Sequence, residues 1–243
     1  MFCYNFTKIV RIDMSKIAIM GAMPEEIEPL LKSIENINRV EYANNSYYEG
    51  IYKGKEVVIA YSKIGKVFSA LTASTLLEKF GCSTLLFSGV AGAINPELHI
   101  GDLIIANRLC QHDLDISIFG HPYGYVPEGA VFIESDKGLR EIAKSVAQKS
   151  SLKVIEGTIA TGDQFVASNE RKDFISTNFE ADALEMEGAS VAVVCDALNV
   201  PFFILRAISD TANDDAGVDF DEFMVGSAKI SANFILDMVE NIE

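Results

Sequence analysis

The sequence predicts one α/β domain of three layers, α/β/α, with helices on both sides of a central mixed, twisted sheet. Three observations carry this. Apolar runs of strand length alternate with helical patterns from end to end of the 243 residues, as they do when helices connect the strands of a sheet. One run, Thr84–Val90 (TLLFSGV), is apolar throughout, which suits a strand covered on both faces. A strand pair brackets Lys53-Gly54-Lys55, so the sheet is not purely doubly wound. The length is enough for one sizeable core.

The elements follow in order. Lys16–Ala22 (KIAIMGA) reads as a buried strand and Pro24–Ile34 as a helix opened by a proline, whose missing N–H costs nothing in a first turn. Tyr47–Tyr52 and Glu56–Ser62 are the strand pair. Val67–Phe80 is helical, and Gly81 supplies its stop. Thr84–Val90 is the central strand and Asp102–Cys110 another. Gln111–Gly129 is irregular and rich in Gly, Pro, His and aromatics. Lys137–Lys149 is a helix, Val154–Thr161 a strand, and Asn169–Asn178 and Gly188–Leu198 are helices. Pro201–Ser209 (PFFILRAIS) is a strand and Asp219–Glu240 the closing helix. Residues 1–13 have neither the apolar stretch nor the cleavage site of a signal peptide. They read as a loose extension before a domain spanning 14–243, with Met14 as a natural start.

Composition excludes several function classes. Twenty Lys and Arg against 35 Asp and Glu give a net charge of −15. Nucleic acids and anionic membranes both need a basic face, so neither is expected as a partner. No run of 18 apolar residues offers a membrane span. Cys3, Cys82, Cys110 and Cys195 form no CxxC pair, and three sit in apolar runs. Buried thiols in a reducing cytoplasm fit better than disulfides or zinc. His99, His112 and His121 show no metal-ligand spacing, and no metal or other cofactor is expected.

Ligands of open α/β sheets collect beyond strand ends, and four strand ends carry unusual residues. The first is Gly21-Ala22-Met23-Pro24-Glu25-Glu26. Its two glutamates can simply complement a helix dipole, the stronger reading on this stretch alone. GxGxxG is absent, and an acid here would repel a pyrophosphate. The second, Ser88-Gly89-Val90-Ala91-Gly92, is small enough for a flat ligand to approach the backbone, or is only a tight turn. The third, Glu185-Met186-Glu187-Gly188, sets two carboxylates on one side of an extended backbone. A ribose diol suits such acceptors, and a solvated helix start is the alternative. The fourth, Arg206-Ala207-Ile208-Ser209-Asp210, ends a very apolar strand. Asp210 there is either a general acid with a raised pKa or the partner of Arg206 in a structural ion pair.

Together these places resemble the 5′-methylthioadenosine/S-adenosylhomocysteine nucleosidases of the nucleoside phosphorylase-like superfamily. The resemblance runs through Ile19–Ile27, Ile64-Gly65-Lys66-Val67, Ser88–Gly92, Gln111-His112-Asp113, Thr161–Phe165, Glu185–Gly188 and Arg206–Asp210. It covers essentially residues 14–243. It implies hydrolysis of the N-glycosidic bond of 5′-modified adenine nucleosides, 5′-deoxyadenosine among them. It further implies Glu26 as the carboxylate that activates water, Asp210 as the acid that protonates the purine at N7, and Ser209 and Arg206 beside Asp210 as substrate-binding residues. Glu187 would accept the ribose hydroxyls, with Glu185 beside it as a further substrate-binding residue, Met186 against the sugar and Met23 lining the same pocket. Phe165 would stack on the base and the Val166 backbone read its edge. It also implies a homodimer in which Phe119, His121 and Pro127 close the partner's site. An oxocarbenium-like transition state needs such an acid and such a water-activating carboxylate.

Val90 stands where many members carry Ser. That pattern, with Tyr61–Val67 and Gly162–Phe165, is similar to a subgroup that also cleaves 6-amino-6-deoxyfutalosine. The implied settings are methionine salvage, methyl-cycle recycling and menaquinone biosynthesis, in the cytoplasm. Two rivals stand beside this reading. A phosphorylase would need Arg forks or a cationic nest for phosphate, but only six Arg are present and Glu26 would repel the anion. A nucleoside-binding protein would have no use for Glu26, Glu187 and Asp210 together.

Overall fold

The computed structural model describes residues 16–150, 152–212 and 216–242; the expected extension, 1–13, lies outside them. The elements in order are β1 (Ile17–Gly21), α1 (Pro24–Leu31), β2 (Glu35–Tyr42), β3 (Asn45–Tyr52), β4 (Lys55–Tyr61), α2 (Lys66–Glu78), β5 (Thr84–Ala93) and β6 (Leu103–Gln111). There follow β7 (Ile133–Glu134), α3 (Lys137–Ala147), β8 (Val154–Thr161), α4 (Asn169–Phe179), β9 (Ala183–Glu185), α5 (Gly188–Leu198), β10 (Phe202–Asp210) and α6 (Ala216–Asn241). The stretch read as irregular contains one 3-10 turn, Ser117–Phe119.

The sheet is mixed. Its strands run β10-β6-β8-β9-β5-β1-β4-β3-β2, and β10 also pairs with β5. Five strands therefore close a ring, which alternation along a sequence cannot reveal. The length of β5 makes this possible. Thr84–Phe87 pairs with β1, Leu85–Gly92 with β10, and its last residues, Gly92 and Ala93, meet β9.

Strand alternation builds two cores. Ala18, Met20, Val58, Ala60, Leu85 and Phe87 face α2 and α5 through Ala73, Leu76, Val191 and Cys195. Ile17, Ile19, Val57, Ile59 and Leu86 face the other way, onto Ile27 and Leu30 of α1, Leu139 of α3 and Phe234, Ile235 and Val239 of α6. Each such side chain taken fully from water contributes roughly 1.5–3 kcal/mol. Gly81 adopts φ 71° three residues beyond α2, where an L side chain would be strained. A third cluster is small: Ile175 and Phe179 of α4 pack on Cys110, Ala160 and Val166.

Candidate active site

One cavity of about 320 Å³ gathers the sequence-selected strand ends. Its walls come from Ala22 and Met23 after β1, Glu26 of α1, Val90–Gly92 of β5 and Gln164–Val166 after β8. Leu184–Glu187 at β9, Ser209 and Asp210 at the end of β10, Ile64 and Phe220 complete it. Apolar walls with a few converging polar groups suit an organic ligand of small size. Among the described residues, no Lys or Arg lines the cavity.

Glu26 is 2% exposed, while its neighbour Glu25 lies in solvent. Its Oε2 accepts the Ala22 and Met23 N–H groups at 2.5 and 3.1 Å, closing the first turn of α1. Oε1 reaches across to the Val90 N–H at 3.1 Å. The helix-capping reading and the cavity reading are thus both satisfied by one side chain. Burial pushes the Glu26 carboxyl above its ordinary value; Arg206 and the three N–H donors oppose this without cancelling it. The contact is tight: a Cβ on Gly89 would stand 2.9 Å from Oε1.

Glu185 and Glu187 do not act as a matched pair. Glu187 is the residue before α5 and accepts the Gly65 N–H at 2.7 Å. Burial, then the charge of Glu185, pushes its carboxyl up, against weaker opposition from the Gly65 bond and Arg206. Glu185 is saturated by others: Arg206 Nη2 at 2.8 Å, the Thr161 hydroxyl, and the N–H groups of Glu187 and Gly188 at 3.0 and 2.7 Å. Although Glu185 borders the cavity, its oxygens are committed to the protein.

Arg206 corrects two expectations. It is 1% exposed and lies behind the cavity wall, not among the lining residues, so it is not placed to touch a ligand. Its ion pair is with Glu185 rather than Asp210. The β10 register shifts between Ile208 and Asp210, which interrupts the two-residue alternation that would put Arg206 and Asp210 on one face. The guanidinium also sits over the Phe87 ring, 4.0 Å from its centroid.

Asp210 is 4% exposed and held at both oxygens: the Ser209 hydroxyl donates to Oδ2 and the Ala212 N–H to Oδ1, each at 2.9 Å. A Cβ on Gly92 would lie 2.6 Å from Oδ1, so this position needs glycine for close approach. Met23 and Met186 border the cavity, Val166 is buried in its wall, and Phe165 is half exposed with its edge against Phe220 at 5.6 Å. Phe119, His121 and Pro127 are exposed and lie outside this chain's cavity.

Among the wall residues given no role from the sequence are Val90, Ile64 and Phe220. Val90 lacks the hydroxyl that many members carry there, yet its N–H donates to Glu26. Ile64 was legible only as part of the stretch Ile64–Val67 that carries the resemblance. Phe220 comes from α6, in whose apolar pattern nothing distinguishes it from a core residue.

The family model of the phosphorylase superfamily matches residues 16–240. An aminodeoxyfutalosine nucleosidase of Campylobacter jejuni is 57% identical, covering 94% of this chain and all of the relative. A 5′-methylthioadenosine/S-adenosylhomocysteine nucleosidase of Bacillus licheniformis is 38% identical over 93% of this chain and 99% of its own. The Helicobacter pylori nucleosidase, as a point mutant with 5′-methylthioadenosine in the active site, superimposes with a TM-score of 0.92 at 47% identity, over 94% of this chain and 99% of that one. With the ring-closed mixed sheet and the carboxylate-lined cavity at its strand ends, these matches place the chain in the phosphorylase superfamily, in the family of aminodeoxyfutalosine and 5′-methylthioadenosine/S-adenosylhomocysteine nucleosidases.

Proposed function

We propose that the chain hydrolyses the N-glycosidic bond of 5′-modified adenine nucleosides, releasing adenine and the free sugar. The substrates are 5′-methylthioadenosine, S-adenosylhomocysteine, 5′-deoxyadenosine and 6-amino-6-deoxyfutalosine. The observation that carries this is the cavity's charge: Glu26, Glu187 and Asp210 line it and, among the described residues, no cation does. Phosphate entering as nucleophile would meet carboxylates with no Arg fork to receive it; water meets an acceptor.

Asp210 gives a proton to N7 of the purine as the C1′–N9 bond breaks. The bonding pair stays on the base, which leaves neutral. Water attacks C1′, its oxygen forms the new bond, and Glu26 takes its proton. The bonds from Ser209 and Ala212 hold the Asp210 carboxyl in one orientation. Glu187 accepts the ribose hydroxyls, Met23 and Met186 pack the sugar, and Phe165 and Val166 receive the base. Arg206 and Glu185 are assigned a supporting role.

The protein acts as a homodimer in the cytoplasm, with Phe119, His121 and Pro127 closing the partner's 5′ side. Support for the dimer is the exposed apolar surface at Val67, Phe68, Leu71, Ile118 and Phe119. Among the described residues no helix is long and apolar enough to cross a membrane.

Chromatography of products formed with and without phosphate tests the reaction. Adenine and free sugar, unaffected by phosphate, is the expected result; sugar 1-phosphate overturns it. Asp210→Asn should lower kcat by roughly 10²–10⁴-fold, the usual contribution of a general acid, and near-normal turnover would sink that assignment.

A further inference from the structure

Outside the cavity, one polar cluster joins three separate parts of the chain. Asp113 lies two residues beyond β6, at the root of the long irregular stretch. Its Oδ1 accepts from Lys66 Nζ at 2.7 Å and its Oδ2 from the Asp163 N–H at 2.8 Å. Asp163 Oδ1 accepts the Lys66 N–H at 2.8 Å, so the three residues form a closed triangle. Lys66 Nζ also donates to Gln111 Oε1 at 3.2 Å. The Lys66 and Asp113 side chains are 18% and 16% exposed, so solvent screens this ion pair little. Burial alone would raise the Asp113 carboxyl, but the bonds from Lys66 and Asp163 outweigh it and hold it below the usual range.

The triangle ends on Gly65. This residue precedes α2, adopts φ 99°, and a Cβ there would stand 3.0 Å from Asp163 Oδ1. Its N–H donates to Glu187 Oε1. A backbone amide in so unusual a conformation keeps its aim only if its neighbours are fixed. Lys66, the next residue, is fixed at both its backbone N–H and its ammonium. None of Asp113, Lys66 and Asp163 lines the cavity.

We propose that Asp113 is a positioning residue: by clasping Lys66 and Asp163 it fixes the Gly65 N–H on Glu187, and so sets the orientation of the carboxylate that receives the ribose. This rests on the ribose role given to Glu187 above. Two oxygens of a carboxylate accept two donors at once. An amide cannot, because its NH2 must face either Lys66 or the Asp163 N–H.

The test is steady-state kinetics on 5′-methylthioadenosine. Asp113→Asn should raise KM about tenfold, the scale of one lost charge-assisted hydrogen bond, with kcat within about threefold of the parent. Lys66→Met breaks the same pair from its other end and should do the same. It carries the test if Asp113→Asn does not fold. A merely structural role would reduce the amount of active enzyme, lowering apparent kcat at constant KM, and that result would overturn the proposal.

The cycle with Glu187→Gln separates the two ideas. If Asp113 acts through Glu187, adding Asp113→Asn to Glu187→Gln should cost less than about threefold more in KM. A further full tenfold rise in that background overturns the proposal and leaves the ribose role standing. Unchanged kinetics of Glu187→Gln itself would overturn both.

Discussion

Arg206 is held at 1% exposure by partners at both ends of its guanidinium and on one face. Glu185 takes one edge at 2.8 Å, the Phe87 and Leu205 carbonyls accept from Nη1, and the Phe87 ring covers a face. Removing one partner of such a pair costs more than the pair is worth, since the other charge stays buried without an ally. Arg206→Met should therefore destabilise the protein by about 3–5 kcal/mol, seen as a fall in Tm of roughly 10 °C. Adding Glu185→Leu to Arg206→Met should recover part of that loss. Thermal melts of the two variants check both statements. The protonation of the cavity carboxylates adds a pH dependence of definite sign. Burial holds Glu26 and Glu187 above their ordinary value of 4.5. Above that value the folded protein binds more protons at these sites than the unfolded chain does. Their contribution to stability is full below pH about 4.5 and is lost as pH rises through the raised values. The urea midpoint of the unliganded protein should drift downward from pH 5 to pH 9, and Glu187→Gln should flatten that drift. A midpoint rising over this range, with the variant parallel to the parent, would remove these two groups as its cause. The residues of the site were legible because chemistry-bearing side chains at strand ends are unusual. Their pairings were not: the bulge in β10 decides that Arg206 meets Glu185, and no spacing rule foresees a bulge.

At the scale of elements, legibility followed burial. Thr84–Val90 was plain because an apolar run has few other places to go, although its continuation through Ala91–Ala93 was hidden by small residues that serve sheet and cavity alike. β2 (ENINRVEY) was invisible. It lies at the end of the strand order and is almost wholly exposed, so its side chains carry no alternation; backbone pairing with β3 alone defines it. β9 is only three residues long, too short for any periodicity. The last helix shows how a distant element is secured. α6 ends with carbonyls that have no partner within the helix, and the ammonium of Lys55, from β4, accepts that task. It donates to the carbonyls of Val239 and Glu240 at 2.8 and 3.1 Å and to that of Ile242. A cation at a helix C-terminus also meets the favourable end of the dipole. Lys55→Met keeps the aliphatic stem and removes these bonds. The loss should be about 1–3 kcal/mol, visible as a lower denaturant midpoint, with KM unchanged because β4 does not reach the cavity. A variant as stable as the parent would mean that solvent caps this helix equally well.

For the whole molecule, the exposed apolar residues are the feature a lone chain does not explain. Val67, Phe68 and Leu71 lie on one side of α2 with exposures of 76%, 46% and 46%, and Ile118 and Phe119 at the 3-10 turn reach 89% and 77%. The same α2 buries Thr72, Ala73, Leu76 and Leu77 in the core, so it is apolar on two faces. One face is spent on the fold, and the other needs a cover of its own. In the proposed dimer a second copy supplies that cover and accounts for the long aromatic stretch, which lies outside its own chain's cavity. Gly65, whose N–H holds Glu187, immediately precedes the helix that offers the apolar face. The proposed assembly and the site are thus joined through one element. Leu71→Asp places a charge in the middle of this face without touching the core. Buried against a partner, an unpaired carboxylate would cost several kcal/mol, enough to shift a dimer to monomers at micromolar concentration. Sedimentation velocity should show a chain near 26.6 kDa with an unchanged circular dichroism spectrum, and kcat/KM should fall with it as the partner's loop is withdrawn from the site. A monomer of full activity would show that each cavity works alone and that the apolar face of α2 serves some other contact.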